Sequence, residues 1–150
     1  MQIVRAQPED AAVLTEIAFA AKRHWGYPER WIQIWTDILT VTPALLAANP
    51  TFSAIEDDRV VGFSSLTLEP RPDLTHLWVL PSAMGRGVGR ALFGRVVEEA
   101  KALGFSAFEI EADPNAEAFY QHMGAKRVGT NVTEIEGERR ELPLLIYQVE

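Results

Sequence analysis

The sequence feature that most constrains the fold is a short apolar run followed directly by a glycine-rich loop and a long amphipathic segment. Residues 77–80 are apolar and partly aromatic and stop at Pro81, as is typical of a buried strand. Beyond the glycines, apolar residues recur every three or four positions up to Leu103, which predicts a helix with one face on a sheet. Gly104 is well suited to end that helix. The stretch therefore predicts a strand–loop–helix unit.

Three alternating glycines, Gly85, Gly87 and Gly89, stand where the predicted helix begins. The first amides of a helix lack intrahelical partners, and the helix dipole favours negative charge there. Without Cβ atoms the loop would let phosphate oxygens approach those donors, and Arg86 and Arg90 add positive charge. A tight turn is the structural alternative, but three glycines are more than one turn needs. We predict an anion site that fits a pyrophosphate.

Two classes of phosphate-binding protein compete for this loop. A dinucleotide-binding βαβ unit would place a ribose-binding acid about 20 residues past the glycines, where Glu109 and Glu111 stand on a predicted strand. Its G-x-G-x-x-G spacing is not met, however, because Gly89 comes one residue early. The first glycine also comes four residues after Pro81, whereas a dinucleotide turn leaves its strand almost directly. A Walker A loop is excluded, since no Gly-Lys-Ser/Thr follows.

The second class fits better. Residues 79–92 resemble the acetyl-coenzyme A (acetyl-CoA) loop of the GNAT superfamily of N-acetyltransferases, whose pattern is Arg/Gln-x-x-Gly-x-Gly/Ala. Gly87 and Gly89 supply both small positions, whereas Met84 stands where Arg or Gln is usual. That departure removes a polar side chain and keeps the backbone donors. Residues 113–125 resemble the family's following segment, a short helix that carries Asn and Tyr, so the resemblance covers roughly residues 74–129.

The residue pattern and the resemblance imply the same fold class. We expect one domain, residues 1–150, with a mixed α/β, mostly antiparallel sheet, one central βαβ unit and helices on both faces. The resemblance implies acetyl-CoA as co-substrate and direct transfer to an amine in a ternary complex. By the same resemblance, the cofactor-binding residues are Leu77, Trp78, Val79, Leu80, Met84, Gly85, Arg86, Gly87, Val88, Gly89, Arg90, Ala91, Asn115 and Tyr120.

Tyr120 is the candidate proton donor. The resemblance puts a tyrosine of this helix near the sulfur, and a phenol can protonate a departing thiolate, although a core role beside Phe119 is the alternative. Asn115 would bond the pantetheine amides or merely cap its helix. The base is left open between Glu111, which shares a strand face with Glu109, and His76 on the central strand, whose imidazole accepts a proton near neutral pH.

The acceptor pocket is expected at the interruption between the first two predicted helices. Trp25 and Tyr27 lie there and are candidate substrate-binding residues, because aromatic walls can hold an ammonium or a flat apolar group. Trp31 and Trp35, at helical spacing, are expected in the core. A single helix is predicted over residues 28–39 and a charged surface turn over residues 133–142.

Composition restricts the remaining choices. The chain of 150 residues has no cysteine, which excludes disulfides, thiolate metal sites and a cysteinyl acyl-enzyme. Its net charge of −7 argues against nucleic acid, and no apolar run approaches membrane-spanning length, so a cytoplasmic protein is expected. We predict no metal, a small-molecule or peptide amine as partner, and leave a homodimer open. A module that senses acyl-CoA without catalysis is the alternative function.

Overall fold

A seven-stranded sheet is the centre of the computed structural model, which describes every residue from Met1 to Glu150. The strands run in the spatial order β1-β2-β3-β4-β5-β7-β6. Their bounds are β1 (Gln2–Arg5), β2 (Thr51–Glu56), β3 (Arg59–Thr67), β4 (Asp73–Val79), β5 (Ala107–Glu111), β6 (Lys126–Ile135) and β7 (Glu138–Gln148).

Six α-helices cover both faces of this sheet. They are α1 (Ala11–Arg23), α2 (Glu29–Ile34), α3 (Thr36–Leu39), α4 (Pro43–Ala48), α5 (Val88–Ala102) and α6 (Glu117–His122). The long helix α5 buries a stripe at four-residue spacing against one face: Val88, Leu92, Val96 and Ala100. Helices α1–α4 enclose a second apolar cluster with β3 on the opposite face. None of the helices combines the length and apolar character that a membrane crossing requires.

The pairing of the strands confirms the predicted fold class. Every neighbouring pair is antiparallel except β4 and β5, the two strands of the βαβ unit around α5. Those two are parallel and share a single register position, Asp73 opposite Glu109. A bulge in the β3–β4 register, next to Leu66, bends the ladder just beyond that point. The remainder of β4 therefore separates from β5 and leaves a gap in the sheet.

The helix predicted over residues 28–39 is wrong as a single helix. It breaks at Trp35, which has φ −84° and ψ 7°, into α2 and α3. The hydroxyl of Thr36 donates to the carbonyl of Gln33 at 2.7 Å, and this local bond competes with the helical ladder. The break turns the chain while it keeps both Trp31 and Trp35 against the core, as expected for that pair.

The surface turn predicted over residues 133–142 is also wrong. Strands β6 and β7 continue through it, so that Ile135 pairs with Glu138 and the turn is only Glu136 and Gly137. Both turn residues have positive φ, 49° and 81°, as a tight two-residue hairpin turn requires. The sequence concealed the strands because the half-buried positions of β6 are Gly129, Asn131 and Thr133, so no apolar alternation marks the strand.

Carboxylates gather where β4 and β5 meet. Burial, with the neighbouring charges of Glu109 and Glu111, raises the pKa of Asp73 to about 6, against a smaller opposite effect of Arg71. Between pH ~4 and ~6 the folded chain therefore holds a proton at Asp73 that the unfolded chain has released. The contribution of Asp73 to the free energy of unfolding falls as the pH rises through that interval and stays low above it.

Replacing Asp73 by asparagine should consequently stabilise the protein at neutral pH. We expect the free energy of unfolding to rise by about 1 kcal/mol at pH 7.5, after allowance for solvent screening, and to change little at pH 4. Urea denaturation of both proteins at the two pH values measures this difference. Asp37→Asn, at an exposed position of α3, is the control. Equal effects at both pH values would contradict the prediction.

Candidate active site

A cavity of about 410 Å³ opens between the end of β4, the loop that leads into α5, and helix α6. A volume of this order is typical of small-molecule sites. Most of the binding residues predicted from the sequence lie on its wall: Trp25, Leu77, Trp78, Val79, Met84, Gly85, Gly87, Val88, Gly89, Arg90, Asn115 and Tyr120. The wall does not include Leu80, Arg86, Ala91, Tyr27, His76 or Glu111.

Free backbone donors line the loop end of the cavity. No backbone amide from Gly85 through Arg90 finds an acceptor within the protein, whereas the next one, Ala91, donates to the carbonyl of Gly87 at 3.1 Å. Gly85 and Gly87 have φ +78° and +83°, and a Cβ on either would meet nothing within 4 Å. The amides therefore face open space in a conformation that glycine favours, which forms a concave site for an anion.

The charges beside this loop differ from those that the sequence suggested. Arg86 pairs with Glu56 at 2.8 Å, so its charge is largely neutralised. Arg90 is exposed on the cavity wall and takes part in no ion pair. Ala91, predicted to bind cofactor, has its amide occupied within α5. The anion site thus consists of the free amides with Arg90 as its one uncompensated cation.

The gap between β4 and β5 exposes one edge of β4. Leu80 donates its amide to the carbonyl of Val61 at 2.8 Å, so its donor faces β3. In an antiparallel ladder alternate residues point their amides the same way, which puts the Trp78 donor on the β3 side as well. The amides of Leu77 and Val79 consequently point into the gap. Of the four strand residues predicted to bind cofactor, two can offer a free donor.

Tyr120 is packed in the core and also borders the cavity. Only 7% of the residue is exposed, and its ring packs 5.3 Å from that of Phe119 and 6.2 Å from that of Phe93, between ring centroids. The residue nevertheless lies on the cavity wall. Burial, with a smaller effect of Asp113, raises the pKa of its hydroxyl well above the ordinary value. The phenol is therefore protonated at neutral pH.

The two candidate bases lie outside the cavity. His76 is 5% exposed, its ring packs 5.5 Å from that of Phe63, and its Nδ1 accepts a hydrogen bond from the indole of Trp78 at 3.0 Å. Burial lowers the pKa of His76 to about 4. These contacts argue against His76 as a base, because its acceptor nitrogen is occupied. Glu111 is exposed at the end of β5, where its carboxylate accepts from the amide of Asn131 at 3.1 Å.

A polar cluster lies behind the wall of the cavity and joins four parts of the fold. It consists of Lys22 on α1, Tyr27 before α2, Asp113 and Asn115 after β5, and Arg140 on β7, and we call it the Asp113 cluster. The carboxylate accepts from Lys22 Nζ at 2.6 Å, from the Tyr27 hydroxyl at 2.9 Å and from the Asn115 amide N–H at 2.8 Å. Asp113, and not Asn115, therefore caps the turn that leads into α6.

The ionisation states within the Asp113 cluster follow from its burial and its contacts. Burial alone would raise the pKa of Asp113, but the Lys22 ammonium and the donors of Asn115 and Tyr27 hold it below its ordinary value. Burial lowers the pKa of Lys22 and outweighs the attraction of Asp113. Burial and then Asp113 raise the pKa of Tyr27 to about 12, so Tyr27 is a neutral donor.

The sequence interpretation missed Lys22, Asp113 and Arg140. One signal was available for Lys22, which follows Ala18 by four residues and so lies on the buried stripe of α1. Its ammonium is 4.4 Å from the ring centroid of Trp35 and 5.0 Å from that of Tyr27. Arg140 lay inside the segment predicted as a turn. Tyr27, predicted to contact substrate, lies in this cluster and off the cavity wall, while Trp25 is 41% exposed on the wall.

Comparison with known proteins identifies the architecture. Residues 12–125 match the family model described as the acetyltransferase (GNAT) family. A solved GCN5-related N-acetyltransferase from Rhodopseudomonas palustris is 27% identical, with a TM-score of 0.79 over 98% of this chain and 94% of that one. The fold is also similar to PaiA N-acetyltransferase from Thermoplasma acidophilum in complex with coenzyme A, at 16% identity, a TM-score of 0.76 and 98% coverage of both chains. The Salmonella typhimurium yncA protein, solved with acetyl-CoA, is 19% identical with a TM-score of 0.73, over 100% of this chain and 94% of that one.

Proposed function

The chain belongs to the GNAT acetyltransferase family, and from that membership we propose that it transfers an acetyl group from acetyl-CoA to an amine. The acceptor is a small molecule or a peptide, and transfer is direct within a ternary complex. One observation carries the proposal: a single cavity combines the unpartnered amides of Gly85 and of residues 87–90, the open edge of β4 and the Tyr120 side chain. Two proteins of the same fold were solved with coenzyme A and with acetyl-CoA, which supports this choice of cofactor.

The free amides fit the cofactor's diphosphate. Donors at the start of α5 would bind its oxygens, and Arg90 would add the one uncompensated positive charge. The amides of Leu77 and Val79 would bind the pantetheine arm along the edge of β4 that faces the gap, where no neighbouring strand pairs with them. The bound cofactor supplies an acetyl group activated as a thioester. The apolar wall around these donors would exclude water from it.

Two proton transfers fall to the protein. Tyr120, kept protonated by its burial, would give a proton to the departing sulfur. The attacking amine must be neutral, and Glu111 would accept its proton through intervening water, because its carboxylate is exposed at the end of β5 and off the cavity wall. Asp113 is less suited to this role, since its oxygens already accept from Lys22, Tyr27 and Asn115.

Release of free coenzyme A thiol tests the proposed function. The protein would be incubated with acetyl-CoA and a panel of primary amines, with acetyl-CoA affinity measured alongside by calorimetry. We expect binding, and thiol release that depends on the amine and exceeds the amine-free control. Binding without release for any amine would instead favour the non-catalytic acyl-CoA sensor. Binding of NAD in place of acetyl-CoA would favour a dinucleotide-binding protein.

A further inference from the structure

The Asp113 cluster carries more positive than negative charge. Lys22 and Arg140 face a single carboxylate, and Tyr27 is neutral because its pKa is raised to about 12. The side chains of Lys22 and Arg140 are only 11% and 12% exposed, and that of Asp113 is 9% exposed. The net charge of the whole chain is −7. The Asp113 cluster is therefore a largely buried region of net positive charge in a protein whose overall charge is negative.

The hydrogen bonds of the cluster leave donors unused. Asp113 already accepts from three side chains and one backbone amide, which fills most of its lone-pair directions. Arg140 has five N–H donors, yet its one hydrogen bond goes from Nη2 to the Tyr27 hydroxyl at 3.1 Å. Its Nη2 is 4.0 Å from the nearest Asp113 oxygen. The Arg140 guanidinium thus has N–H donors that no acceptor of the protein satisfies.

These spare donors are open to solvent or ligand. Ser53 Oγ is the only enclosed side-chain polar atom in the protein that lacks a hydrogen-bond partner. The unpartnered nitrogens of Arg140 are therefore not sealed inside the core. A ligand group that reached these nitrogens would contact a planar guanidinium packed against aromatic rings. The guanidinium carbon lies 4.9 Å from the ring centroid of Trp35 and 5.2 Å from that of Tyr27.

The cluster adjoins the cavity away from the glycine loop. Asn115 belongs to both, because it lies on the cavity wall and donates to the Tyr27 hydroxyl at 3.2 Å. Trp78 lies on the same wall, with the Lys22 ammonium 6.0 Å from its ring centroid. Ala21, next to Lys22 on α1, also lies on the wall. Lys22, Asp113 and Arg140 themselves lie outside the wall, so a molecule in the cavity would meet them where it extends past Asn115.

The chemistry of the cluster selects against a bare ammonium group. An aromatic cage with a carboxylate is what binds an ammonium, but the Lys22 ammonium already occupies that place at 2.6 Å from Asp113. A second cation would be repelled by both Lys22 and Arg140. A carboxylate, by contrast, matches the paired donors of a guanidinium in geometry and charge.

We propose, on the basis of the function proposed above, that the acceptor amine also carries a carboxylate and that Arg140, assisted by Lys22, binds it. The substrate class is then amino acids, or peptides that present a free carboxylate close to the reacting amine. Arg140 sets specificity without touching the reacting atoms. Lys22 contributes charge and keeps Asp113 paired.

Matched acids and amides test this assignment. Free amino acids and their carboxamides would be compared as acceptors, with kcat/KM measured for the wild type, Arg140→Met and Arg140→Lys. Binding of the N-acetylated acids and amides to the coenzyme A-loaded protein would be measured by calorimetry. We expect the wild type to prefer the acid by on the order of 10- to 100-fold, the value of a charged hydrogen bond. Arg140→Met should bring that ratio close to one, and Arg140→Lys should restore part of it.

The ratio of kcat/KM for the acid to kcat/KM for the amide distinguishes carboxylate recognition by Arg140 from a structural role of this residue. Loss of stability in Arg140→Met would lower both members of each pair alike and leave the ratio unchanged, which would overturn the proposal. Equal kcat/KM values of the wild type for the amides and the acids would also overturn the carboxylate proposal, while the proposed function would stand. If no amine were acetylated and the N-acetylated acids still bound in an Arg140-dependent way, the carboxylate site would stand and the transferase function would fail.

Discussion

Replacing Gly87 by valine should abolish acetyl-CoA binding, with the dissociation constant rising roughly 100-fold or more, the loss of about two charge-assisted hydrogen bonds. Gly87 is the residue immediately before α5, and its Cβ position is open space in the free protein. A valine side chain would therefore occupy the volume that a phosphate must enter to reach the free amides. Calorimetric titration with acetyl-CoA measures the effect.

Gly104→Val is a matched control for the Gly87 variant. Gly104 lies just beyond the other end of α5, has the same φ of +83°, and offers a Cβ nothing within 4 Å. Both variants force an L side chain into the left-handed region, at a cost of about 1–2 kcal/mol. They should lose similar stability in urea, and only Gly87→Val should lose binding. Equal loss of affinity in both would mean that strain in α5, not access to the loop, governs binding.

Removing the Tyr120 hydroxyl should reduce turnover far more than it reduces cofactor affinity. General acid catalysis is worth about 10²–10⁴-fold, so Tyr120→Phe should lower kcat within that range while it keeps the ring packed against Phe93 and Phe119. The acetyl-CoA dissociation constant should change by less than about twofold, since a neutral donor at the sulfur adds little to binding. Steady-state kinetics and calorimetry on the same preparation measure both.

Tyr147→Phe is the control for Tyr120→Phe. The Tyr147 ring packs 5.1 Å from that of Phe93, in the same aromatic group, and the residue lies outside the wall of the cavity. The Tyr147→Phe variant should keep the kcat of the wild type. A kcat of Tyr120→Phe that matches the wild type would return Tyr120 to a purely structural role. A joint fall in both variants would point to repacking around Phe93 as the cause.

The proposed cofactor site and the proposed acceptor site are built from different kinds of groups. The proposed cofactor site consists of backbone donors that belong to one continuous stretch of chain, residues 77–90. The proposed acceptor site, the Asp113 cluster, consists of side chains that come from α1, the connection to α2, the segment after β5, and β7. Cofactor binding should therefore tolerate many substitutions, while acceptor choice should depend on a few charged side chains.

The proposed cofactor site could be predicted from the sequence because the interactions that form the strand, the loop and the helix are local. The apolar period of α5, the strand before it and the glycines between them are set within some thirty neighbouring residues, and helix and turn preferences act at that range. The same local signals predicted the sheet and its helices. They failed at Trp35, where a threonine bond breaks the helix, and in the β6–β7 hairpin, where the half-buried face of β6 carries polar residues in place of apolar ones.

The proposed acceptor site was decided by tertiary structure. Lys22 and Asp113 are 91 residues apart in the chain, and Tyr27 and Arg140 are 113 apart. No local pattern links such residues, because they meet only when α1 and the long hairpin pack around the gap between β4 and β5. The same packing buried His76 and left Glu111 outside the cavity. Burial and partnership fix which charged groups can act, and both are properties of the folded chain.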